Sequence, residues 1–224
     1  MSQRWPGAEG WKEATTEAAL AAPEAVARPL ILDAHGHLGR WCRCFVNRGD
    51  AEGMIASMDA GGIAATAVSS FQALESDMRA GNDEVAEAIR RYPDRFIGYA
   101  VANPNYPEQV VEELQRCFGE LGMRGIKIHT DMHHYPFDGP HYVPALEFAH
   151  QNGLPILVHG VGSAQALSEA SKRYANANFI VAHVGGWDGL RPDPVLDVVA
   201  SQPNVYGDIA SSYGYYRSFE RLVE

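Results

Sequence analysis

Long apolar runs are missing from this chain. None approaches 18 residues, the length at which a membrane-spanning helix becomes possible. Positive charge is scarce: 18 Lys and Arg stand against 28 Asp and Glu, a formal net charge of −10. No basic stripe is present of the kind that nucleic-acid surfaces require. Only three cysteines occur, Cys42, Cys44 and Cys117. An odd number with a one-residue gap builds neither a disulfide framework nor a closed zinc site, so reduced, incidental thiols are expected. No G-x-G-x-x-G follows the first apolar run, which removes the dinucleotide-binding fingerprint. In residues 1–28, acids stand where a signal peptide carries its apolar stretch, which argues against secretion. These gaps point to a cytoplasmic protein that engages neither membrane nor nucleic acid. Its residues 1–28 read as an N-terminal arm and 29–224 as one barrel domain.

What the sequence does hold is a repeated alternation. Apolar runs of strand length occur at 30–35, 63–69, 95–101, 125–129, 154–159, 178–183 and 204–209. Amphipathic segments separate them at 51–60, 82–92, 107–121, 142–152, 163–175 and 193–201, framed by residues such as Asn82, Ser163 and Gly153. Near-continuous apolar strands alternating with helices indicate a parallel sheet covered by helices. The runs recur about every 30 residues, the size of one βα unit. A complete (β/α)₈ barrel takes eight units in about 250 residues. Seven units are visible in these 224 residues, and SYGYYRSFERLVE at the end reads as the seventh helix. The predicted fold is an α/β, TIM-like barrel of parallel strands, incomplete for want of its eighth strand and truncated at the C-terminus.

Nine histidines are present, and four of the seven runs end in one: His35 with His37, His129, His159 and His183. In a parallel barrel those ends converge on one face, where active sites are built. Neutral imidazoles are preferred ligands for zinc, manganese and iron, and a catalytic site keeps about three protein ligands with one open position. His129 alone reads equally as a buried histidine bonded to a carbonyl. His150 lies in a helical segment and reads as an exposed or half-packed residue. His133, His134 and His141 fall in the loop TDMHHYPFDGPHY, which would overhang the mouth of the barrel.

The pieces LDAHGHLG, RGIKIHTD, LPILVHG, FIVAHVGGW and NVYGDIAS, in this order, resemble the amidohydrolase superfamily, specifically its amidohydrolase-2 branch of metal-dependent hydrolases and decarboxylases. The resemblance spans residues 30 to 212 and implies a divalent metal, zinc first, with manganese or iron as alternatives. It assigns His35, His37 and His159 as metal ligands and His183 as a catalytic base or further ligand. Lys127 becomes a catalytic residue, either carbamylated between two metals or a plain positive charge for a substrate carboxylate. His129, Asp131, His133, His134 and Trp187 become substrate-binding candidates, with Met132, Tyr135 and Asp188 beside them. The family's strand-eight aspartate has no counterpart before the chain stops. Asp208, in the seventh run, reads as an ordinary hydrogen-bonded strand residue.

The implied activity is hydrolysis of an amide, ester or lactone by metal-activated water. The alternative is non-oxidative decarboxylation of an aromatic or unsaturated acid, and a third reading is an inactive barrel fragment. The expected partner is a small-molecule substrate, with homo-oligomers possible.

Overall fold

The computed structural model describes residues 30–43, 45–183 and 194–210. The predicted arm at 1–28, Cys44, Trp187, Asp188 and the expected seventh helix at 212–224 lie outside these residues.

Each apolar run forms a strand: β1 (Ile31–Leu38), β2 (Ile63–Ser70), β3 (Phe96–Val101), β4 (Gly125–His129), β5 (Pro155–His159), β6 (Asn178–Val181) and β7 (Val205–Gly207). All neighbours pair in parallel and in sequence order. Helices fill the gaps: α1 (Ala51–Gly61), α2 (Phe71–Glu75), α3 (Met78–Arg91), α4 (Val110–Gly119), α5 (Thr130–His133), α6 (Val143–Asn152), α7 (Ala164–Arg173) and α8 (Val195–Ser201). The sheet curls into an incomplete TIM barrel. Among the described residues no ladder joins β7 to β1, yet side chains from the two ends meet, His35 Nδ1 lying 2.9 Å from Asp208 Oδ2.

Helix punctuation follows the residues. Ser163 caps α7 by accepting from Ala166 N–H, and Gly153 ends α6 in the left-handed conformation that glycine tolerates. The start of α3 differs from expectation. Asp77, not Asn82, is the cap and accepts from Ala80 N–H. Asn82 is instead fully buried and bonded to the backbone of Val101 and to Glu113, tying α3 to β3 and α4. The short helices α2 and α5 were not apparent in the sequence, being too brief for a 3.6-residue period to show.

Outward-facing strand residues such as Ile126, Ile128, Ile156, Val158 and Phe179 form the main core beneath the helices. Tyr99 and Leu157 fill the interior, where Lys127 is also fully buried. Between β1 and β7 lies a cleft of about 790 Å³, lined by residues including Leu32, Tyr206 and Ile209, each more than half exposed.

Candidate metal and catalytic site

Residue 36 is glycine for want of space. A Cβ there would stand 2.7 Å from Thr66 Cγ2, while the residues on either side turn their rings inward. The ring nitrogens His35 Nε2 and His37 Nε2 converge to 3.1 Å. Rings from two more strand ends join them. His35 and His37 have centroids 5.0 Å apart, His35 and His183 5.0 Å, and His183 and His159 4.8 Å. Lys127 Nζ, from the middle of β4, reaches within 3.0 Å of His35 Nε2. Four imidazoles from three separate strand ends thus meet at one mouth, with a lysine beneath them.

Hydrogen bonds assign the tautomers of these rings. His35 Nδ1 faces a carboxylate oxygen and must donate to it, so Nε2 keeps its lone pair. His183 Nδ1 faces the carbonyl of Ala210 and likewise donates, leaving a lone pair on Nε2, which lies 3.1 Å from His159 Nδ1. His37 Nδ1 is held 3.0 Å from Ser69 Oγ. Fixing one ring nitrogen so that the other is presented is how proteins prepare metal-binding histidines. Burial, reinforced by the Lys127 charge, lowers His35 to about 4 and His159 to about 3, and pushes His37 well below the ordinary value. His35, His37 and His159 are therefore neutral at pH 7, as ligands must be. This set of neutral imidazoles fits a zinc or iron ion and suits calcium or magnesium poorly.

Two groups among the described residues bring three candidate ligand atoms within 4.8 Å of one another: His35, His183 and Asp208, and His129, Asp131 and His159. The second is not a credible chelate. His129 and His159 occupy paired positions on β4 and β5, and their rings stack in parallel, so their in-plane lone pairs do not converge. His129 Nδ1 is also engaged by the Met132 N–H, which leaves its proton on Nε2. In the first group both Asp208 oxygens hold other groups, Oδ2 the His35 ring and Oδ1 the backbone N–H of His183 and Ala210. Burial works against a charge on Asp208, but the His35 bond and these amides keep its carboxyl below the ordinary range.

The remaining candidates separate. His129 is buried beside the ligand rings and offers Nε2–H. Asp131 lies 3.2 Å from His159 Nε2 and is more than half exposed. With His134, Tyr135 and Arg43 it lines a shallow cleft of about 530 Å³. His133 does not overhang the mouth. It is 2% exposed, with Nδ1 2.6 Å from Tyr142 Oη, so it is a core histidine rather than a surface for substrate. His150 accepts from Asn176 N–H, as a packing residue would.

Two local features escaped the sequence. His183 is not on β6 but two residues past its end, at φ 57°, a left-handed conformation rare for a non-glycine residue and concentrated at functional sites. Gly160 follows His159 at φ 77°, and a Cβ there would stand 2.2 Å from Thr130 Oγ1. That hydroxyl also bonds to the carbonyls of His159 and Gly160 and fixes the end of β5.

A family model described as Amidohydrolase matches residues 32–223. The 2-amino-3-carboxymuconate-6-semialdehyde decarboxylase of Dictyostelium discoideum is 32% identical over 78 residues, 35% of this chain and 22% of that protein. The gamma-resorcylate decarboxylase of Polaromonas is 42% identical over 74 residues, 33% of this chain and 22% of that protein. The aligned part thus spans about a fifth of each relative, 22% in both cases. The crystal structure of 2,6-dihydroxybenzoate decarboxylase from Rhizobium superposes with a TM-score of 0.62 at 18% identity, covering 87% of this chain and 83% of that one. With a family match running almost from the first strand to the last residue, over an incomplete barrel whose histidines gather at one mouth, this chain belongs to the amidohydrolase family.

Proposed function

We propose that the protein is a metal-dependent decarboxylase releasing CO₂ from an aromatic or unsaturated carboxylic acid without oxidation. One observation carries the reading: Lys127 is fully buried at the floor of the imidazole cluster, and no ion pair engages it among the described residues. A buried ammonium without a carboxylate partner is costly. Burial lowers Lys127 to about 7, where a substrate carboxylate would restore its charge. The two curated relatives, both named as decarboxylases, support the same class of reaction.

In this reading His35, His37 and His159 would hold the ion, with His183 beside them. When bound, the ion supplies Lewis-acid polarisation of the substrate oxygens. Lys127 Nζ, 3.0 Å from His35 Nε2, would pair with the substrate carboxylate. His129 Nε2–H donates to a neighbouring oxygen of the acid and orients it. His183, whose Nδ1–H is held by the Ala210 carbonyl, would take up a proton from solvent on Nε2 and pass it to the carbon bearing the carboxylate. The C–C bond then breaks, its electron pair restores conjugation, and CO₂ leaves.

Hydrolysis, the first expectation from sequence, becomes the second reading. It needs a carboxylate base beside the attacking water. Among the described residues Asp208 is committed to three hydrogen bonds and Asp131 stands out in solvent.

The experiment is turnover of 2,6-dihydroxybenzoate and related ortho-hydroxy acids, and in parallel of aryl amides, esters and lactones, by metal-loaded protein in D₂O and H₂¹⁸O. CO₂ release with one deuterium on the former carboxyl-bearing carbon supports the proposal. Incorporation of ¹⁸O into an amide-, ester- or lactone-derived product, with no CO₂ from any acid, overturns it in favour of hydrolysis.

A further inference from the structure

We propose that Asp208 is a positioning residue that sets both the tautomer of His35 and the pose of His183, and so prepares the metal site from the far end of the sheet. The inference deepens the reading above and rests on it, because it takes His35 to be a metal ligand.

Asp208 follows β7 and lies 173 positions from His35, yet its Oδ2 accepts the His35 Nδ1–H at 2.9 Å. Its Oδ1 accepts the backbone N–H of His183 at 2.9 Å and of Ala210 at 3.0 Å. Ala210 in turn presents its carbonyl to His183 Nδ1. One turn after β7 therefore grips His183 twice, through the main chain and through the ring. The grip falls on the residue whose φ of 57° must be held by its surroundings. The same carboxylate forces the His35 proton onto Nδ1 and turns the Nε2 lone pair towards His37 and Lys127. A residue that only joined the sheet ends would need no carboxylate: a carboxamide in the same place would still bridge them. What a carboxamide cannot do is accept at both ends. With its oxygen on the two backbone amides, its NH₂ faces His35 Nδ1 and drives the proton to Nε2, the nitrogen meant for the ion.

The test reads tautomers before it reads metal. In metal-free full-length protein labelled with ¹⁵N-histidine, the His35 signals, assigned by their loss in His35→Gln, should show the Nδ1–H tautomer. In Asp208→Asn they should show Nε2–H, and cobalt(II) affinity followed by its visible absorption should fall about 10- to 100-fold. Asp208→Glu should restore the Nδ1–H tautomer and part of the affinity. A wild-type His35 carrying its proton on Nε2 overturns the proposal without recourse to any variant. So does an Asp208→Asn protein that keeps either the wild-type tautomer or an affinity within threefold of wild type. If wild-type protein shows the Nδ1–H tautomer but binds no cobalt at all, the metal-site reading fails, while the control of His35 by Asp208 stands on the spectra.

Discussion

The imidazoles of His129 and His159 lie face to face, 3.9 Å between centroids and 13° from parallel. Strand register produces this, since the two residues are directly paired across β4 and β5. Rings so arranged cannot bind one ion together, because their lone pairs run side by side. His129→Gln is therefore expected to retain metal at close to full occupancy and to lose activity through KM. His159→Ala should lose tight metal binding, as expected for removal of one of about three ligands. Metal content by plasma emission, with steady-state kinetics of both variants, checks the pair.

Lys127→Met separates binding from folding. The methionine fills the buried volume without the charge, and the loss of a charge-assisted bond to substrate is worth about 1.5–3 kcal/mol, or roughly 10- to 100-fold in kcat/KM. Thermal stability should hold or rise, since burial disfavours the native ammonium. A fall in melting temperature with unchanged kcat/KM would identify Lys127 as a structural residue.

His183→Asn suits the left-handed backbone at φ 57°, which asparagine tolerates better than most residues. The fold and most of the bound metal should survive. Activity should drop about 10²-fold or more, as for removal of a proton-transferring group. Equal loss of metal in His183→Asn and His159→Ala would make His183 a ligand.

His133 gives a pH signature apart from catalysis. Burial lowers it to about 3, so the folded state keeps the ring neutral while the unfolded chain takes up a proton below about 6.5. Its share of stability is fully present above pH 6.5 and is lost as pH falls towards 3, at about 1.4 kcal/mol per pH unit. Urea unfolding of metal-free protein at pH 7, 6 and 5 should show a shallower decline in His133→Leu than in wild type by that amount.

The barrel was legible because every strand is a short apolar run and buried parallel strands leave that mark on a sequence. The imidazole cluster was legible for the same reason, each ring sitting at or just past the end of such a run. The burial of His133 is not legible, because nothing in TDMHHYP tells which of two adjacent histidines turns inward; the brief helix α5 and the Tyr142 hydroxyl decide it. Asp208 was undervalued because its role depends on how far the sheet curls. Curvature brings residues 173 positions apart into contact, and no local pattern encodes it.

A sheet whose ends meet through side chains, with no ladder between them among the described residues, has a first strand and a last. The outer backbone edges of β1 and β7 carry amides and carbonyls with no ladder partner among the described residues, flanked by the exposed Leu32 and Tyr206. Such margins are templates: any extended segment laid along them finds hydrogen bonds and an apolar bed already in place.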